Sequence, residues 1–244
     1  MASDLDLALA LADAADELTL ARFRAPDLRV ETKPDLSPVS EADHAVEEAI
    51  RAVLARERPD DVVVGEEYGH DEGEGRRWIV DPIDATKNYV RGIPLFATLI
   101  ALENEVAVVS APALAMRWWA THGGGAFANG EPIAVSRIAR LEDAVLTYTS
   151  VRDFEEPFFA LARRVWAPRG FGDFWQYMLL AEGCVDVSVE SSANLWDLAA
   201  PKLIVEEAGG RLTDLAGNDT AGGGSALASN GLLHEAALAA LRTT

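Results

Sequence analysis

Asp81 and Asp84 stand three positions apart in WIVDPIDATKNY, at the end of an apolar run, with Thr86 and Lys87 just after them. Glu66 closes a second apolar run in VVVGEE. Each acid lies just past the end of an expected strand, and ligands in α/β proteins gather at strand ends, so the three can share one crevice. Two carboxylates roughly 4 Å apart repel by about 4 kcal/mol at a surface-like dielectric, so such a cluster takes up protons or holds a cation. Hard oxygen donors favour magnesium, commonly bound by a few carboxylates, waters and substrate phosphate oxygens, and the Ile83 carbonyl is a further candidate ligand.

Pro82 fixes its own φ and biases Asp81 toward an extended conformation, so a bend over 81–84 can aim both carboxylates at one centre. Asp84 is then expected as an N-cap. If Ala85, Thr86, Lys87 and Asn88 open a helix, their N–H groups offer a phosphate cradle beside the metals. Each residue also has a bland reading. Asp84 alone is an ordinary cap, Asp81 a solvated strand end, GEE an exposed turn, and Trp196 with Asp197 a helix start over a packed tryptophan. Asp43 near the third position of its helix favours the dipole, and Glu190 simply ends a strand.

The elements that must position these residues follow from periodicity. Leu5, Leu9, Ala12 and Leu20 mark an amphipathic helix over 4–24, and Ser40 caps a second helix whose stripe is Val46, Ile50, Val53 and Leu54. Strands are expected at DDVVVGEEYG, RRWIVD, LFATLIALE and EVAVVSAPA, and HGGGAFANG reads as a hairpin rather than an anion nest. Further on, AVLTYTS and VDVSVES read as strands, while EEPFFALARRVWA, DFWQYMLLAEG and LWDLAAPKLIVEEAGG read as helices, and RLTDLAG as a strand and turn. This alternation predicts an α+β half over 1–138, carrying most of the metal ligands, joined to an α/β half over 139–244 that carries Glu190 and Asp197, the two forming a single catalytic unit.

With 244 residues, nearly half of them apolar, the chain can bury a sizeable core. Its formal net charge of -19 would repel nucleic-acid phosphates and anionic membranes. One cysteine excludes an intrachain disulfide, and the acidic start lacks the bases of a secretory signal, so a cytoplasmic location is expected. The histidines show no zinc spacing, and no nucleotide or hydrolase-elbow glycine motif is present.

GEE, WIVDPIDATKN, GGGAFANGEPIAVS and LWDLAAPKLIVEEAGGRLTD, in this order, resemble the inositol monophosphatase family of magnesium-dependent, lithium-sensitive phosphatases. ETKPDLSPVSEADHAVE and RGFGDFWQYMLLAEGCVDVSVE are similar to the branch of that family acting on L-histidinol phosphate in histidine biosynthesis. The resemblance implies a layered αβαβα fold, a homodimer, and two or three Mg2+ ions. By motif match, Glu66, Asp81 and the Ile83 carbonyl would hold one magnesium, and Asp81, Asp84 and Asp197 a second. Thr86, hydrogen-bonded to Asp43, would help Glu66 activate water, and Glu190 would touch the non-phosphate part of a small phosphomonoester.

An acidic wall would suit the ammonium and imidazole of histidinol phosphate, with Asp173 and Glu190 as its candidates; Phe174 and Trp175 could stack on the ring, although a core role is the stronger reading. An inositol or sugar phosphatase remains a second reading, and a decayed metal-binding or partner-binding protein a third. The family's usual glycine in DPIDGT is Ala85 here. A right-handed first helical turn is expected at Ala85, and a positive φ would count against an active site.

Overall fold

The computed structural model describes residues 3–152 and 154–242. A small hairpin, β1 (Val30–Thr32) and β2 (Pro38–Ser40), lies between helices α1 (Asp4–Arg22) and α2 (Glu41–Glu57). Strands β3 (Val62–Gly65), β4 (Gly69–His70), β5 (Arg77–Asp84), β6 (Ala97–Leu102), β7 (Val106–Ala111), β8 (Met116–Thr121), β9 (Gly125–Ala128) and β10 (Glu131–Ile133) form one sheet. Its order is β10-β9-β8-β7-β6-β5-β3-β4, and the short helix α3 (Thr86–Val90) interrupts it after β5. The second sheet has β11 (Val145–Tyr148), β12 (Ala167–Arg169), β13 (Val187–Glu190), β14 (Arg211–Thr213) and β15 (Ala226–Ser229) in the order β12-β11-β13-β15-β14. Its helices are α4 (Glu156–Arg164), α5 (Asp173–Ala181), α6 (Leu195–Glu207) and α7 (His234–Arg242).

Five layers result. In β6 every residue is buried, because alternate side chains serve two cores: Ile100 and Leu102 meet Leu11 of α1 and Ile50 of α2, while Leu99 and Ala101 meet α5 and α6 through Met178 and Ile204. Leu212, Ala226 and Ala228 bring the second sheet onto the same central helices. Its opposite face packs Leu146, Val187 and Val189 against Phe158 of α4 and Leu238 of α7. The order helices, sheet, helices, sheet, helices is the αβαβα stack expected of the family.

The capping prediction at Ser40 holds. Ser40 N–H donates to Asp43 Oδ2 at 2.8 Å and Ser40 Oγ accepts from the Ala42 N–H at 3.2 Å. One boundary differs from expectation. The helix expected to run through VWA ends at Arg164, and Ala167–Arg169 form β12 beside β11. Pro168 disfavours a helical conformation at the residue before it, so the chain turns extended there.

Candidate active site

Glu66 is positioned by a buried acid in α2. The carboxylate of Glu47 accepts the N–H groups of Glu67 at 2.8 Å and Tyr68 at 3.2 Å, which fixes the turn after β3. An ideal Cβ at Gly65 would fall 1.9 Å from Glu47 Oε1, so only glycine allows this approach. Across the turn, Lys33 Nζ lies 2.7 Å from Glu66 Oε1 and 2.7 Å from Glu67 Oε1.

Asp81 and Asp84 share a face because β5 bulges between them. Residues three apart on a regular strand point to opposite faces. Here Asp81 pairs with Leu99 and Asp84 with Ala97, so three steps on β5 match two on β6, and the extra residue restores the parity. Pro82, which has no N–H, sits inside the bulge, and its carbonyl accepts from Thr98 Oγ1 at 2.8 Å.

Asp197 arrives on α6, where its Oδ2 accepts the Asn194 N–H at 2.7 Å. Oxygens of Asp81, Asp84 and Asp197 lie within 4.8 Å of one another. Burial first, then the neighbouring carboxylates, raises Asp81 and Asp84 well above the ordinary aspartate range. Burial pushes Asp197 up to about 6, against the Asn194 N–H, which favours the charged form. Asp81 Oδ1 is buried with no hydrogen-bond partner among the described residues. A buried, unpartnered oxygen amid converging acids fits a hard divalent cation, so the donor set suits the metal that the cluster would hold.

The cleft of about 440 Å³ is lined by Glu66, Asp81, Ile83, Asp84, Ala85, Thr86, Asp173 and Asp197, so it gathers these sequence-derived candidates in one place. Asp43 and Glu190 are not on the lining but contact residues that are, Thr86 and Thr149. Asp43 is fully buried; Thr86 Oγ1 is 3.4 Å from its Oδ1 but closer, at 2.9 Å, to the Ile83 carbonyl oxygen. Burial pushes Asp43 up to about 6, opposed by the Ser40 donors. Glu190 Oε2 accepts from Thr149 Oγ1 and from Gln176 Nε2, and burial pushes it up to about 7. Asp173, raised by burial and countered by Lys87, opens α5 at the cleft rim.

Two expectations are corrected. Ala85 is left-handed, with φ 64° and ψ 44°, not right-handed. It is also the residue that precedes α3, whereas Asp84, expected as the N-cap, is the last residue of β5. Both follow from the bulge: Asp84 still pairs with Ala97, so the whole reversal from strand to helix falls on residue 85. The left-handed turn costs alanine about 1–2 kcal/mol, yet Asp84 and Thr86 both remain on the cleft lining. Phe174 is core, and Trp175 is half-buried against it, as the packing reading expected. The glycine-rich hairpin does bind an anion of its own: the Gly123 and Gly125 N–H groups donate to Glu207.

Sequence reasoning passed over Glu47, Lys33, Thr149 and Gln176. Lys33 stood in a turn-rich stretch and Gln176 on an apolar helix, and neither pattern carries a chemical signal by itself.

The inositol monophosphatase family model matches residues 1–244. The chain belongs to this family. It is 52% identical to a histidinol-phosphatase of Mycobacterium tuberculosis, over 98% of this chain and 97% of that one. A histidinol-phosphatase of Streptomyces coelicolor is 51% identical over 95% and 94% of the two chains. A fructose-1,6-bisphosphatase/inositol-1-monophosphatase of Thermotoga maritima is 38% identical over 81% and 79%. Among solved structures, the extragenic suppressor protein SuhB of Bartonella henselae superposes with a TM-score of 0.91 at 28% identity, covering 99% of each chain. Family membership makes the chain a metal-dependent phosphatase, and the acidic cluster is where its metal would sit.

Proposed function

We infer that this member of the inositol monophosphatase family is a magnesium-dependent phosphomonoesterase that hydrolyses L-histidinol phosphate to L-histidinol and phosphate. The observation that carries the chemistry is the meeting of Asp81, Asp84 and Asp197 oxygens within 4.8 Å beside Glu66 and the Ile83 carbonyl. The substrate follows from near-full-length identity of 52% and 51% to two histidinol-phosphatases.

Glu66, Asp81 and the Ile83 carbonyl would hold one ion and Asp81, Asp84 and Asp197 a second, so that Asp81 would contribute to both. Bound magnesium supplies the positive charge that neutralises the phosphoryl oxygens and makes water a better nucleophile. Glu66 and Thr86 would orient the attacking water, and Glu66 takes its proton as the new P–O bond forms, while the bond to the alcohol oxygen breaks and that oxygen takes up a proton from solvent. Asp43 holds Thr86 from behind, and the Thr86 and Lys87 N–H groups would face the phosphate, since those of Asn88 and Tyr89 donate to the Ala85 carbonyl. Asp173 and Glu190 offer negative charge to the ammonium and imidazole of the leaving alcohol.

We extend the reading to a homodimer in the cytoplasm whose two halves, 1–138 and 139–244, act as one catalytic unit. Among the described residues no helix is long and apolar enough to cross a membrane.

The test compares turnover of histidinol phosphate, inositol monophosphate and fructose bisphosphate with and without magnesium. Preference for histidinol phosphate is expected; equal rates, or preference for an uncharged polyol phosphate, defeat the substrate assignment. Phosphate release that persists undiminished in Asp84→Asn defeats the metal assignment.

A further inference from the structure

Gln176 is fully buried on the fourth residue of α5, among the core residues Phe174, Tyr177 and Met178. Its Nε2 lies 3.1 Å from Glu190 Oε2 and 3.3 Å from Thr149 Oγ1, while its own Oε1 is buried without a partner among the described residues. An apolar side chain would fill this place without leaving a carbonyl oxygen unsatisfied. The two bonds made by its amide nitrogen account for its presence.

Gln176 Nε2 and Thr149 Oγ1 converge on one oxygen, Glu190 Oε2. Thr149 Oγ1 donates to the same Glu190 Oε2 and accepts the Asp173 N–H at 2.9 Å. Gly172 closes the arrangement, because an ideal Cβ there would sit 3.0 Å from the Thr149 Cα. Among the described residues no donor reaches Glu190 Oε1, so the second oxygen keeps its acceptor capacity. Thr149 and Asp173 line the cleft and Thr149 bonds Glu190 directly, which places the carboxylate with its free acceptor beside the cleft.

We propose that Gln176 is a positioning residue for substrate selectivity: its buried amide, with Thr149, pins one oxygen of Glu190 so that the other is presented to a cationic leaving group. Donors on Oε2 favour the ionised carboxylate, and a fixed carboxylate loses less freedom when an ammonium or imidazolium docks. The inference rests on the histidinol phosphate reading and adds to it a residue that does not touch the substrate.

The experiment measures kcat and KM of the magnesium-loaded enzyme for histidinol phosphate and inositol monophosphate, in wild type, Gln176→Leu, Gln176→Glu, Glu190→Gln and the Gln176→Leu/Glu190→Gln pair. Losing a hydrogen bond to a charged group should raise KM for histidinol phosphate about tenfold in Gln176→Leu. Its kcat should change by less than about twofold, and KM for inositol monophosphate should stay close to wild type. Gln176→Glu keeps the shape and replaces the donor with an acceptor, so it must show the same selective loss even if the leucine variant folds poorly. In the Glu190→Gln background, Gln176→Leu should add nothing further. Equal losses on both substrates, a fall in kcat alone, or full additivity of the pair overturns the proposal while leaving the function in place. A wild type that does not prefer histidinol phosphate overturns both.

Discussion

The backbone N–H of Phe174 donates to Asp84 Oδ2 at 2.6 Å, tying the first turn of α5 to a carboxylate of the acidic cluster. Two residues on, Gln176 of the same helix holds Glu190. One turn of α5 thus sets the separation between Asp84 of the acidic cluster and Glu190. It also lets the second half of the chain complete a site begun in the first.

Asp84→Asn should separate stability from activity. The variant removes one of several mutually repelling buried carboxylates, so the metal-free protein should unfold at a higher temperature than wild type. Magnesium-dependent turnover should fall by at least about a hundredfold, as the loss of a charge-stabilising group in an active site typically costs about 10²–10³ in kcat. Thermal unfolding and phosphate release check the two halves; a lower unfolding temperature without metal contradicts the repulsion argument.

Ala85→Gly should stabilise the fold by about 0.5–1 kcal/mol, because relief of the left-handed penalty exceeds the added entropy of the unfolded chain. Ala85→Val should lower stability instead, since a β-branched residue is poorly tolerated at φ 64°. Denaturant melts of the three proteins decide; a glycine variant less stable than wild type would show that residue 85 is unstrained.

Gly65→Ala should disrupt the turn that presents Glu66, because the new methyl would overlap the Glu47 carboxylate. A loss of about 1–3 kcal/mol is expected for overpacking at a buried site. Weaker magnesium binding should accompany it, measurable by calorimetry; unchanged stability and metal affinity would place the Glu47 contact outside the site's support.

The metal-free protein should lose stability as pH rises from about 4 to about 7. Burial first of all raises Asp81 and Asp84 and pushes Asp43, Asp197 and Glu190 up to about 6, about 6 and about 7. Between the unfolded and folded values the folded chain binds more protons than the unfolded one, so each of these groups contributes less as pH climbs through that window. Magnesium, which binds the ionised form, should flatten or reverse the slope. Unfolding temperatures across this range, with and without the ion, provide the check, and a rising curve without metal contradicts it.

The sequence by itself determined whatever depends on near neighbours in the chain. Ser40 as the cap of α2 needs only its place before an apolar stripe, and the apolar runs at Trp78–Val80 and Ala97–Leu102 announce strands. Ordered motifs likewise identified the family, and named Asp81, Asp84 and Asp197, whose oxygens the fold brings within 4.8 Å of one another. Tertiary structure decided what depends on partners distant in sequence. The side on which Asp84 points comes from the bulge that β6 imposes, and the same pairing drives Ala85 left-handed, where helix propensity alone expects the opposite. Gln176 and Glu47 look like ordinary helix residues until Glu190 and the Glu66 turn are folded against them. A hydrogen bond between residues far apart in the chain leaves no periodic trace, so only the packed molecule reveals which buried polar group serves the cleft.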